Sequence, residues 1–240
     1  MKRRPSGPGA LLGKIKGSVS PLELKRSVDR LIDDVLVRAG WMPRTLNGSG
    51  KVLHMSDTPT AIYGYLARLL RRVNPSVVIH TGDLADDIKL ELYAGEEGHY
   101  RAAMLRLAGI LQSPHRRVYI VLGNHDRLDL LPDLPPQFTV CDGTLDITVC
   151  GERFRISHRV ASLREVAGNA GWPGMAKYNL FGHEWVTGSY VDEDGRYFFN
   201  GVETMRLIDP ATDEIEFLRY PQKTDRARMM RHGGRSARRT

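Results

Sequence analysis

The 240-residue chain has only two cysteines, Cys141 and Cys150, and they do not form a CxxC pair. Nine residues apart around an expected turn, they could face each other. The plainer reading is two reduced, partly buried thiols. No apolar run approaches the roughly 20 residues needed to cross a bilayer. Met1-Lys2-Arg3-Arg4 resembles the start of a signal peptide, yet a Gly/Pro-rich stretch follows it, and Ala10-Leu11-Leu12 is too short for an apolar signal core. The expectation is a cytoplasmic protein that is not exported. Solenoid-type repeats are lacking. A composition of 41% hydrophobic and 26% charged residues excludes a collagen-like, coiled-coil or wholly disordered chain. The length suits one large domain or two small ones.

Acidic residues are scarce at both ends. Residues 1–20 hold five basic residues and no acid, and residues 221–240 hold seven basic residues against Asp225 alone. The net charge of +7 therefore divides into basic ends and a body of 23 bases against 27 acids. Both ends also lack apolar periodicity, so 1–20 and 221–240 read as basic disordered tails. Such tails could hold nucleic acid or an anionic surface, or be simply solvated. No aromatic residues interleave with their charges, which argues against base stacking.

Between the tails, Pro21 to Ala39 reads as a helix, with Ser20 as N-cap, Gly40 as its end and Leu24, Val28, Leu31, Ile32 and Val35 as its apolar face. Residues 21–50 are thus an N-terminal helix and linker, with Gly48-Ser49-Gly50 as a joint. From Lys51, short apolar strands at 52–56, 76–80 and 117–122 alternate with helical stretches at 60–73 and about 86–111, the latter broken near Gly95 or Gly98. That alternation predicts a parallel sheet with right-handed crossovers. After Pro132 the pattern turns to strands at 138–140, 145–149, 153–157 and 178–182, then hairpins over 188–201 and 204–219. The domain is expected to span 51–220.

Each strand ends in a polar group: Ser56-Asp57, Gly82-Asp83, Gly123-Asn124-His125-Asp126, Ser157-His158 and Gly182-His183. In an open α/β sheet, ligands bind beyond the carboxyl ends of the strands. Taken singly, an Asp after a strand is usually a turn former and a His usually structural. Together they form a set of oxygen and imidazole groups suited to Mn²⁺, Fe or Zn²⁺ rather than Ca²⁺. Glycines 82, 123 and 182 allow the tight turns that aim them into one space.

This order resembles the calcineurin-like metallophosphoesterases over about residues 51–220. Its most specific part is Gly123-Asn124-His125-Asp126 after the strand Val118 to Leu122, and the C-terminal hairpins are similar to the compact phosphodiesterase branch. The resemblance implies an α/β fold, an α/β/β/α sandwich of two mixed β-sheets flanked by helices, with two metals at one edge. It implies that Asp83 bridges the metals, that Asn124, His158 and His183 complete one site, and that Asp57 serves the other. Asn124 and His125 would face the phosphate. His125 would protonate the leaving oxygen, and Asp86 would orient it. A metal-bound hydroxide would attack phosphorus in line. The cofactor expected is Mn²⁺ first, with Fe, Zn²⁺ and Ni²⁺ as alternatives, and the substrate a phosphate ester, most readily a diester.

Two departures affect the same metal. The family's Asp-x-His is here Asp57-Thr58-Pro59, and its Gly-His-x-His is Gly182-His183-Glu184-Trp185. Neither proline nor indole offers a ligand. The expectation is one firmly bound metal and a second that is weak or absent. The alternative to an enzyme is a catalytically impaired binding or scaffold module on the same fold. His54 and His80 read as structural, and His99 and His115 as surface residues. Glu184 has a smaller claim to turn into the site. Trp185 either walls the pocket or stacks on a base or sugar, or it packs in the core.

Overall fold

The computed structural model describes residues 46–93, 95–167 and 174–229. The expected helix at 21–39 and most of both tails lie outside them. The strands are β1 (Val52–Met55), β2 (Val77–His80), β3 (Arg117–Val121), β4 (Phe138–Cys141), β5 (Thr144–Val149), β6 (Glu152–Ser157), β7 (Tyr178–Phe181), β8 (Tyr190–Val191), β9 (Tyr197–Asn200), β10 (Met205–Asp209) and β11 (Glu214–Leu218). The helices are α1 (Tyr63–Val73), α2 (Glu97–Leu111), α3 (Val160–Ala167) and α4 (Thr224–Met229).

They build two mixed sheets. One has the order β11-β10-β1-β2-β3-β4, with β1 to β4 parallel, β10 antiparallel to β1 and β11 antiparallel to β10. The other has the order β5-β6-β7-β9-β8, parallel from β6 through β9 and antiparallel at both edges. Side chains alternate across a strand. Leu53, Met55 and Val78 therefore meet α1 and α2 through Leu66, Leu69 and Leu107. Val52, Val77 and Ile79 point the other way, against Phe154, Ile156 and Tyr178 of the second sheet. Leu163 of α3 covers the far side of that sheet with Phe181 and Phe198. The result is the expected four-layer α/β/β/α sandwich, and its two sheets present their strand ends at a common edge.

Two expectations need correction. The helical stretch expected from about Asp86 begins only at Glu97. Asp86 and Asp87 are buried, Asp87 accepts from the Thr60 N–H at 2.7 Å, and Gly95 is left-handed at φ 96°. Inward carboxylates and that glycine break the periodicity, leaving residues 86–93 as turns. The C-terminal segment also does not begin as a disordered tail. Residues 224–229 form α4, whose Arg228 is buried and donates from Nε to the Asp57 carbonyl at 2.7 Å. The basic composition of the tail hid one arginine that belongs to the core.

His80 at the end of β2 is fully buried and its hydrogen bonds define its tautomer. Nδ1 accepts from Gly82 N–H at 3.2 Å, so Nε2 carries the proton and donates to Thr58 Oγ1 at 2.9 Å, which in turn donates to the Leu84 carbonyl. Burial, then the nearby His158 and Arg228, pull its pKa down to about 3. A folded pKa below the unfolded one means that the unfolded chain takes up the proton first, so stability is lost as pH falls through about 6.5. Comparing wild type with His80→Asn isolates this residue. Between pH 7 and pH 5 the stability difference should move by about 2 kcal/mol in the variant's favour, read by urea unfolding at both pH values.

Candidate metal centre

Five strand ends converge here. Asp57 follows β1, Asp83 follows β2, Asn124 and His125 follow β3, His158 follows β6 and His183 follows β7. Asp57, Asp83 and His183 all adopt left-handed backbone conformations, at φ 51°, 52° and 63°, which turn each side chain off its strand toward the edge. Glycine serves two different needs. Gly82 supplies a turn at φ 95°. Gly123 and Gly182 allow close approach instead. A Cβ on Gly123 would lie 2.5 Å from Asp83 N, and one on Gly182 would lie 2.6 Å from Asp57 Oδ2.

His158 Nδ1 lies 2.6 Å from the Thr81 carbonyl, which can only accept, so the proton is on Nδ1 and Nε2 presents a lone pair. Facing that lone pair are Asn124 Oδ1 at 3.1 Å, His183 Nδ1 at 3.2 Å and Asp83 Oδ2 at 3.6 Å. Asn124 is held in this sense because its Nδ2 donates to Glu91 Oε2 at 2.7 Å. His158 Nε2, Asn124 Oδ1 and Asp83 Oδ2, acceptors turned on one another in a partly buried pocket, are repulsive unless a proton or cation lies among them. The donor set is therefore fit to hold a divalent metal through Asp83, Asn124, His158 and His183. Asp83, His158 and His183 group their ligand atoms within 4.8 Å, and so do Asp83, Asp86 and His125.

The carboxylates repel one another. Burial, then Asp57, Asp126 and Asp86, push the Asp83 pKa well above the ordinary value, against the opposing pull of the His125 N–H at 3.0 Å. Asp86 is pushed up to about 7 by burial and then by Asp57, against the pull of Lys89. Burial and then the Lys89 charge pull His125 down to about 4, so its imidazole is neutral at pH 7. His183 is also lowered, by burial and then by His158.

On the Asp57 side, the carboxylate accepts from the Ser56 hydroxyl and from His183 N–H at 3.2 Å. Pro59 is buried and opens a short 3-10 turn. Trp185 is 52% exposed, with the Arg228 guanidinium 5.8 Å from its ring centroid. The core-packing alternative for Trp185 is thus incorrect, because the loop after β7 leaves the indole at the surface. Glu184 Oε1 accepts from Val160 N–H at the start of α3 at 3.1 Å. His54 is buried against Thr81 Oγ1, whereas His99 and His115 are exposed.

Four residues had no role assigned in the sequence reading. Asp126 accepts from the N–H groups of Gly123, Asp83 and Leu84 and from Tyr100 Oη, all at 2.8–2.9 Å, and so ties the ends of β2 and β3 together. Its place inside the Gly-Asn-His-Asp block was the available signal. Glu91, which orients Asn124 and lies 3.4 Å from His125 Nδ1, and Lys89, paired with Asp86, were hidden in the stretch read as helix. Arg228 was hidden in the tail.

A family model described as calcineurin-like phosphoesterase matches residues 50–236. No curated protein matches the chain. Among solved structures it is similar to the Escherichia coli phosphoesterase Yfce, at 16% identity over 69% of this chain and 96% of that one, with a TM-score of 0.46. It is also similar to Pseudomonas putida nuclease MPE, at 17% identity over 65% of this chain and 82% of that one, with a TM-score of 0.33. Among the described residues, no helix is long and apolar enough to cross a membrane.

Proposed function

Because the chain belongs to the calcineurin-like phosphoesterase family, we propose that it hydrolyses phosphodiesters with one firmly held divalent metal, Mn²⁺ in the first instance, and a second site that is weak or absent. The observation that carries this reading is the His158 Nε2 lone pair facing Asn124 Oδ1, His183 Nδ1 and Asp83 Oδ2. A cation held there supplies Lewis acidity to the phosphoryl oxygens. Asp57 alone remains of the groups peculiar to the other site, with Pro59 and Trp185 where the family has histidines.

His125 is assigned the leaving oxygen. Its ring is neutral in the free protein, and the negative charge of an arriving phosphate raises its hold on a proton, which it then donates. Asp86 lies in the same group of atoms as His125 and Asp83 and is assigned to position the ring. Asn124 would add contact to the phosphate. A diester carries one negative charge where a monoester carries up to two. A site with Asp57, Asp83 and Asp86 together and a single firm metal therefore favours the diester electrostatically. The basic ends at 1–20 and beyond 229 are proposed to draw an anionic polymer toward the protein.

Metal analysis with hydrolysis of bis(p-nitrophenyl) phosphate in added Mn²⁺ tests the reading. About one Mn²⁺ per chain is expected, with turnover falling on the order of 10²–10⁴-fold in His125→Ala. Turnover that is absent, or unchanged in His125→Ala, favours the second reading, a catalytically impaired binding module, which the loss of ligands at Pro59 and Trp185 supports.

A further inference from the structure

Beside His125 the site contains a cation of its own. Lys89 lies in the turn that replaces the expected helix start, where its carbonyl accepts from Leu92 and Tyr93 N–H at 2.9 and 3.0 Å. Its ammonium is paired with Asp86 Oδ1. Asp86 belongs with Asp83 and His125 to a group of ligand atoms all within 4.8 Å of one another. The Lys89 side chain is 17% exposed and that of Asp86 only 4%, so the ammonium lies on the more open side of the pair.

Arg228, a buried cation nearby, cannot serve a substrate. The Arg228 side chain is 1% exposed, and its donors are spent on the Asp57, Ser56 and Val202 carbonyls and on Asp225. An ammonium has three donors, and among the described residues Lys89 donates to Asp86. Its pairing with Asp86, whose oxygen groups with Asp83 and His125, puts positive charge next to one phosphate-facing group and the shared carboxylate.

We propose that the Lys89 ammonium is the second cation of the phosphate site, binding a non-bridging phosphoryl oxygen in the part a second metal would otherwise play. This rests on the phosphoesterase reading above. One metal and one lysine then hold the phosphoryl group between them. Because the lysine is part of the chain, its contribution does not depend on metal supply.

The test uses inorganic phosphate as probe, titrated calorimetrically into the full chain with and without Mn²⁺, alongside Mn²⁺ stoichiometry on the same samples. Loss of a charge-assisted contact predicts that Lys89→Met weakens phosphate about 10- to 100-fold, while Lys89→Arg, which keeps the charge, loses less than about 5-fold. Bound Mn²⁺ should stay near one per chain in all three proteins, which also reports that each has folded. Phosphate affinity unchanged in Lys89→Met, or no phosphate binding by wild type with or without Mn²⁺, overturns the assignment of Lys89. Failure of Mn²⁺ to bind overturns the metal reading separately, since the lysine's contribution is still read in the metal-free titration.

Discussion

Asp83→Asn is expected to make the metal-free protein more stable while ending its response to metal. Asp83 is 3% exposed and lies among Asp57, Asp86 and Asp126, so its charge is disfavoured first by burial and then by those three carboxylates. Asparagine keeps the shape, still accepts from His125 N–H, and tolerates the left-handed backbone at φ 52°. Removing a poorly compensated buried charge of this kind is worth about 1–3 kcal/mol, or a rise of about 3–10 °C in midpoint for a domain this size. A carboxylate whose folded pKa is raised costs stability above its unfolded pKa and nothing below it. The variant's advantage should therefore shrink as pH falls toward about 4. With Mn²⁺ the order reverses, because wild type gains stability by binding metal and the variant does not. Turnover of the diester should fall by about a thousandfold or more, since both cations of the site act next to this residue. Thermal unfolding with and without Mn²⁺ reads both signs. A metal-free variant no more stable than wild type would mean that Asp83 is better compensated than its neighbours indicate.

Stability and function are thus opposed at the strand ends, and that opposition explains what was legible in the chain beforehand. Apolar β-rich runs ending in Asp, Asn or His are a local signal, and parallel strands bring their carboxyl ends to one edge without further information. Asp57, Asp83, Asn124, His125, His158 and His183 could be placed together for that reason. The hairpins followed from turn residues between short strands, whereas the two sheets and four layers were expected only from the family resemblance.

What was not legible depends on tertiary contacts that override local pattern. Residues 86–93 have enough apolar spacing to pass for helix, yet Asp86 and Asp87 turn inward and the chain spends that stretch as turns. Lys89 and Glu91, which bear on Asp86 and Asn124, became visible only once that helix was gone. Core packing was one of the alternatives open for Trp185, but the loop after β7 carries it outward. Arg228 stands among seven basic residues in the last twenty, and no spacing rule separates it from the others.

Arg228 nonetheless carries the second large effect. Its guanidinium reaches the Asp57 carbonyl at 2.7 Å, the Ser56 carbonyl at 3.2 Å and the Val202 carbonyl at 2.9 Å, and it sits 4.3 Å from the Tyr220 ring centroid. It joins α4 to the end of β1 and to the loop before β10. Arg228→Leu fills much of the volume but leaves those carbonyls without donors, and breaking a buried charged contact of this kind costs about 3–5 kcal/mol. For a domain this size the midpoint should fall by about 6–20 °C. Arg228→Lys should recover less than half, because a single ammonium lacks the planar fork that meets several carbonyls at once. Mn²⁺ affinity should change by less than about threefold in either variant that remains folded, since Asp83, Asn124, His158 and His183 are carried by other strands and the hydrogen bonds of Arg228 go to the Asp57, Ser56 and Val202 carbonyls and to Asp225. Calorimetric unfolding together with Mn²⁺ titration separates the two effects. A loss of Mn²⁺ affinity as large as the loss of stability would instead make α4 part of the metal centre, acting through the backbone of Asp57.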